Sequence, residues 1–144
     1  MNKKAFVMGV IAGLIAALIG GIALYLSSLY IDRLFGFFIF FTGLISGIAF
    51  AGIFSMLGGQ IKNNEEWQIF LHFSTILGMI GVIIYYILPY VLSFFSPIFM
   101  VLSEHPEFII FQTSFGIYDI IFIILGGISG RIWGKYSIRQ MQTP

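Results

Sequence analysis

Few side chains in this chain can do chemistry, and Asp119 holds the most demanding position among them. It interrupts an apolar run that begins near Phe108, about eleven residues into the segment. At ~1.5 Å per helical residue that is a depth of ~16 Å, near the middle of a bilayer core. A carboxylate there costs roughly 2.5–3.5 kcal/mol on insertion scales, so it is expected to face protein or water. Gln112, Gly116, Asp119, Gly126 and Gly130 follow one another at helical steps, which puts them on one face. Thr42 and Ser46 on a second segment, and Tyr85 or Tyr86 on a third, are the candidate partners. Such a group suits a proton or cation site. It suits equally a hydrogen-bonded contact that joins two helices.

The other candidates are weaker. His72 shares a face with Thr75 and Met79 and has the chemistry of a metal, haem or proton ligand, yet no second buried histidine accompanies it. His105, with Glu104 and Glu107, forms a polar stretch suited to weak cation contact at a surface. Gly126-Gly127-Ile128-Ser129-Gly130 imitates a phosphate loop but lacks the lysine and the preceding strand such a loop needs. Ser129 has no histidine and aspartate at its own depth. With no cysteine, thiolate chemistry and cysteine-held metals are excluded. The expectation is a protein that is not an enzyme and carries no cofactor or metal.

These residues must be positioned by elements of an unusual composition. The 144 residues are 59% hydrophobic and only 9% charged. Soluble domains carry roughly 25% charged residues, because a water-facing surface needs them. The solvent for most of this exterior is therefore hydrocarbon. A net charge of +1 gives no reason to expect nucleic acid.

A span needs about 20 consecutive apolar residues. Four such segments are expected, at about 5–28, 34–61, 67–88 and 108–133. The first, preceded by Lys3 and Lys4, is longer than a secretory signal's apolar core and is read as a retained span. The third region runs on to about residue 102 with Pro89 and Pro97 inside it, so a kinked or extended third helix is expected. Membrane strands are excluded, because they alternate apolar and polar residues over about ten positions. The expected fold is an all-α integral membrane protein, a compact bundle of four transmembrane helices in a single domain.

Basic residues in short loops stay on the cytoplasmic side. With four spans, Lys3, Lys4, Lys62, Arg131, Lys135 and Arg139 share one side, and Arg33 alone takes the other, beside Asp32. Both termini are thus expected in the cytoplasm, with the plasma membrane as the expected location. Trp67 and Trp133 fall at the same boundary, where indoles prefer to sit.

Small residues recur every four positions: Gly9, Gly13, Ala17 and Gly21 in the first span, and Gly43, Gly47, Ala51, Ser55 and Gly59 in the second. Gly126, Gly130 and Gly134 make a third series in the fourth span. Helices in lipid associate through small residues that let backbones approach. The phenylalanine-rich run from Phe35 to Phe41 suits a lipid-facing surface instead. Expected partners are lipids and other membrane subunits or further copies of the chain. The function favoured on these grounds is a non-catalytic accessory subunit of a membrane complex. The alternative is a small oligomeric ion- or proton-coupled transporter or channel that uses Asp119.

Overall fold

In the computed structural model, residues 1–30, 35–94 and 116–142 are described. They form four α-helices: α1 (Lys3–Tyr30), α2 (Phe35–Met56), α3 (Asn64–Phe94) and α4 (Ile117–Gln142). No strand occurs among the described residues. All four helices are long and apolar enough to cross a membrane. The shortest, α2, has 22 residues and rises about 33 Å, against a hydrocarbon core of about 30 Å.

The starts of α1 and α3 are each fixed by a side chain that accepts an otherwise unpaired amide. Asn2 Oδ1 accepts the amides of Lys4 and Ala5, at 3.1 and 3.3 Å. Asn63 Oδ1 accepts Glu66 N–H at 2.8 Å, while the Glu66 carboxylate reaches back to Lys62 N–H at 2.9 Å. The same carboxylate forms an ion pair with the N-terminal ammonium. Helix α2 ends in a Schellman arrangement: Gly58 N–H donates to Ser55 O and Gly59 N–H to Phe54 O, both at 2.9 Å. Gly58 supplies the left-handed conformation this needs, with φ of +73°.

Helices α1 and α4 each pack on both α2 and α3, and α2 and α3 also meet across the middle. Two apolar clusters close the interior. One joins Phe50, Phe54, Phe70, Leu71 and Ile138. Its Phe50 and Phe70 rings stack at 4.4 Å. The other joins Leu24, Tyr25, Ile39, Val82 and Tyr85. The outward faces of all four helices are apolar, with Ile15, Ile19, Ile76 and Ile124 about half exposed.

In the phenylalanine-rich run Phe40 and Phe41 are exposed, whereas Phe50, Phe54 and Phe70, outside it, are fully buried. Gly59 is not on a helix face, since α2 stops at Met56 and Gly59 belongs to the cap. The fourth helix starts at Ile117, not near Phe108. Helix α3 continues through Pro89 to Phe94. Pro97 and the remainder of the expected extension lie outside the described residues, as do Asp32, Arg33, Glu104, His105 and Glu107.

Candidate functional site

The start of α4 defines the surroundings of Asp119. Gly116 precedes the helix, and its N–H donates to Asp119 Oδ2 at 2.5 Å. Asp119 N–H in turn donates to Gly116 O at 3.1 Å. This is the half of a capping box in which the third helical residue reaches back to the cap. Its negative charge also complements the amide-rich end of the helix dipole. Asp119 thus lies in the first turn of α4, half-buried, and not about eleven residues into a helix.

Of the expected partners, the tyrosines of α3 are the ones beside it. Tyr86 brings its hydroxyl toward the Asp119 carboxylate, and Tyr85 packs beside Tyr86. The two rings meet edge to face at 4.9 Å, and Tyr25 of α1 packs on Tyr85 at 6.3 Å. The result is an aromatic cluster with phenolic hydroxyls around one carboxylate, near one end of the bundle. Gln112 lies outside the described residues.

Thr42 and Ser46 are not part of that cluster. Both are buried on α2, where Ser46 Oγ donates to Gly43 O at 3.0 Å and Thr42 Oγ1 lies 3.5 Å from Gly20 O. Hydroxyls in an apolar interior take the nearest backbone carbonyl, and these carbonyls are on their own or the adjacent helix. His72 is exposed on α3, and its Nδ1 donates to Gln68 O at 2.6 Å, one turn back. No three histidine, aspartate or glutamate side chains gather to hold a metal among the described residues.

The glycines occupy the centre. The α1 series lies against α2 and α3: Gly9 meets Phe50, Gly13 meets Leu77, and Gly21 meets the Gly81 backbone. Ala17 is fully buried on the same line. Gly43 and Gly47 of α2 face the backbone of Gly126, Gly130 and Gly134 on α4. A Cβ at Gly47 would sit 2.5 Å from Gly130 O, and one at Gly130 would sit 2.5 Å from Ser74 O on α3. Three backbones thus converge on Gly130. Two hydroxyls bind across this junction: Ser74 Oγ donates to Gly130 O and Ser129 Oγ to Phe40 O, both at 2.6 Å. Ala51 continues the α2 line into the phenylalanine cluster, while Ser55 borders an open cleft beside Lys62 and Gln142.

The sequence reading omitted the α3 side of this junction. Ser74 and Gly78 stand four residues apart, the same small-residue spacing noted in the other helices, and Gly81 follows. That spacing was the available signal.

At the opposite end from the Asp119 cluster, the N-terminus, the α2–α3 turn and the end of α4 come together. The N-terminal ammonium pairs with Glu66, Gln142 Nε2 donates to Gly59 O at 3.1 Å, and the Arg139 guanidinium lies 5.7 Å from the Trp67 ring centre. Lys3, Lys4, Lys62, Lys135 and Arg139 are therefore grouped at one end, with Arg131 a turn before Lys135.

These features define the chain as a four-helix, multi-pass membrane bundle with a closely packed small-residue interior. No family model, curated protein or solved structure matches it.

Proposed function

We propose that this protein is a non-catalytic structural or accessory component of a membrane-protein assembly. The convergence of α2, α3 and α4 backbones at Gly130 carries the reading. Backbone and small hydroxyls fill this junction, and the buried Thr42, Ser46, Ser74 and Ser129 hydroxyls are turned to backbone carbonyls. A body of this kind acts through its exterior. Because the glycine faces are used within the bundle, partners would be met through apolar outer faces such as Ile11, Leu14, Ile15 and Leu18 of α1, all well exposed. The basic end faces the cytoplasm in this proposal, by the bias of lysine and arginine toward that side. Both termini then lie inside.

Purification from the native membrane in mild detergent, with native mass and identification of bound chains, tests the proposal. A hetero-complex of fixed stoichiometry supports it. A chain that purifies without a partner overturns it.

A second reading rests on the Asp119–Tyr86 approach, which places an ionisable group beside buried phenols. In that reading the protein is a small ion- or proton-coupled transporter, and the carboxylate is its ion contact. Proton or cation flux in proteoliposomes that disappears in Asp119→Asn would favour it.

A further inference from the structure

We infer that the outer face of α4 binds an anionic phospholipid, with the phosphodiester held between Arg131 and Lys135. Helical spacing puts Ile117, Ile121, Ile124 and Ile128 on one line, and Arg131 and Lys135 continue that line. Ile117 is largely exposed and Ile121, Ile124 and Ile128 about half, so this strip is open to acyl chains along its length. One face thus passes directly from hydrocarbon contact to positive charge, the order in which a phospholipid presents its chains and its phosphate.

Depth supports the assignment. From Ile117 to Gly130 the helix rises only about 20 Å, short of a ~30 Å core. With Asp119 at one edge, Arg131 reaches the other edge at or inside the acyl boundary. Its long stem lets the guanidinium extend toward the headgroups. An arginine fork there matches phosphate oxygens in two places, and a lysine one turn on lies within about 6 Å at Cβ. Neither Arg131 nor Lys135 takes part in an ion pair among the described residues, and α4 carries no acid beyond Asp119 at its far end. Tyr136, exposed next to Lys135, has the amphipathic ring favoured at this level of a bilayer. The same charges could attract an acidic protein segment, but continuity with an acyl-facing strip favours lipid.

The proposal rests on the membrane-spanning fold and not on the accessory role. Its test uses the full-length protein in neutral detergent, with phosphatidylglycerol or phosphatidylcholine added at equal mole fraction and retained lipid read by native mass. Phosphatidylglycerol should be retained several-fold better, and less so at high salt. Arg131→Gln with Lys135→Gln should lower that retention by about tenfold or more. Lys3→Gln with Lys4→Gln removes equal charge from the same end and should leave most of it. Equal retention of the two lipids overturns the proposal. So does an equal loss in both double variants, which would make the effect a diffuse property of the basic end. Circular dichroism and thermal unfolding of each variant identify any loss that reflects misfolding, and Arg131→Lys, which keeps the charge, should then retain an intermediate preference.

Discussion

Gly47 of α2 and Gly130 of α4 face each other so closely that a Cβ on Gly47 would lie 2.5 Å from the Gly130 carbonyl oxygen and 3.0 Å from the Gly134 nitrogen. The obstructing atoms are backbone, which cannot swing aside as a side-chain tip can. Alanine at Gly47 should therefore force α2 and α4 apart and destabilise the fold by about 1–3 kcal/mol, the usual range for overpacking. Gly52 is the matched control. It is also within α2, but its nearest neighbour would be Met141 Cε at 3.9 Å, an ordinary contact. Gly52→Ala should be neutral or stabilising by up to about 1 kcal/mol, because alanine is the better helix former. Denaturant unfolding in a fixed micelle compares the two, and equal effects would remove the claim that this junction is sterically closed.

The α3 side of the junction is held by Ser74, which is fully buried and donates to Gly130 O at 2.6 Å. Polar contacts between membrane helices average about 0.6 kcal/mol and reach about 1.7. Ser74→Ala should lose an amount in that range, since the methyl group still fills most of the space. Ser74→Leu should be far worse, because Gly134 lies directly against the Ser74 side chain and leaves no room for a branched one. A Ser74→Leu protein with wild-type unfolding would show that α3 does not pack here.

What the sequence makes legible divides along physical lines. The starts of α1 and α3 are readable because charged or polar clusters bound them, Lys3 and Lys4, then Lys62 to Glu66. The ends of α2 at Met56 and α3 at Phe94 have no such bound. Before Ile117 the marker is weaker: Gln112, Thr113, Ser114 and Gly116 interrupt the apolar run from Phe108 to Phe111 without carrying a charge. The start of α4 depends on one short-range bond, Asp119 to Gly116, which a window of mean hydropathy cannot register. That single boundary moved Asp119 from mid-span to the first turn. Helical spacing likewise identifies which small residues share a face, but pairing depends on how the four helices are arranged. Thr42 and Ser46 illustrate the limit: the sequence puts them in the interior, and only the packing shows that their hydroxyls meet carbonyls rather than the carboxylate.

Gly58 tests a different constraint. No atom lies within 4 Å of where its Cβ would be, so space is not the issue. Its φ of +73° is the obstacle, since a side chain in the left-handed region costs about 1–2 kcal/mol. Gly58→Ala should destabilise by that amount, and Gly58→Asn by less, because asparagine tolerates this conformation. At Gly59 the balance is reversed. A Cβ there would meet Phe54 O and the Phe54 ring at 2.5 Å, so even alanine should disturb the cap. If all three substitutions behave alike in thermal unfolding, the Schellman geometry at the end of α2 is wrong.

Asp119 separates a structural role from an ion-binding one. The cap on Gly116 needs an acceptor oxygen, which asparagine retains and alanine lacks. Losing a capping acceptor costs about 0.5–2 kcal/mol. Asp119→Ala should therefore unfold more easily by that amount, while Asp119→Asn keeps most of the stability and loses only the charge that complements the helix dipole. Tyr86→Phe removes the neighbouring hydroxyl without touching the cap and should be close to neutral in stability. If the carboxylate serves only the helix start, none of the folded variants changes proton or cation permeability when reconstituted into vesicles. Flux that is present in the wild type and lost in Asp119→Asn, with folding intact, would instead require the charge itself. That outcome would move the functional centre from the glycine junction to the aromatic cluster around Tyr85 and Tyr86.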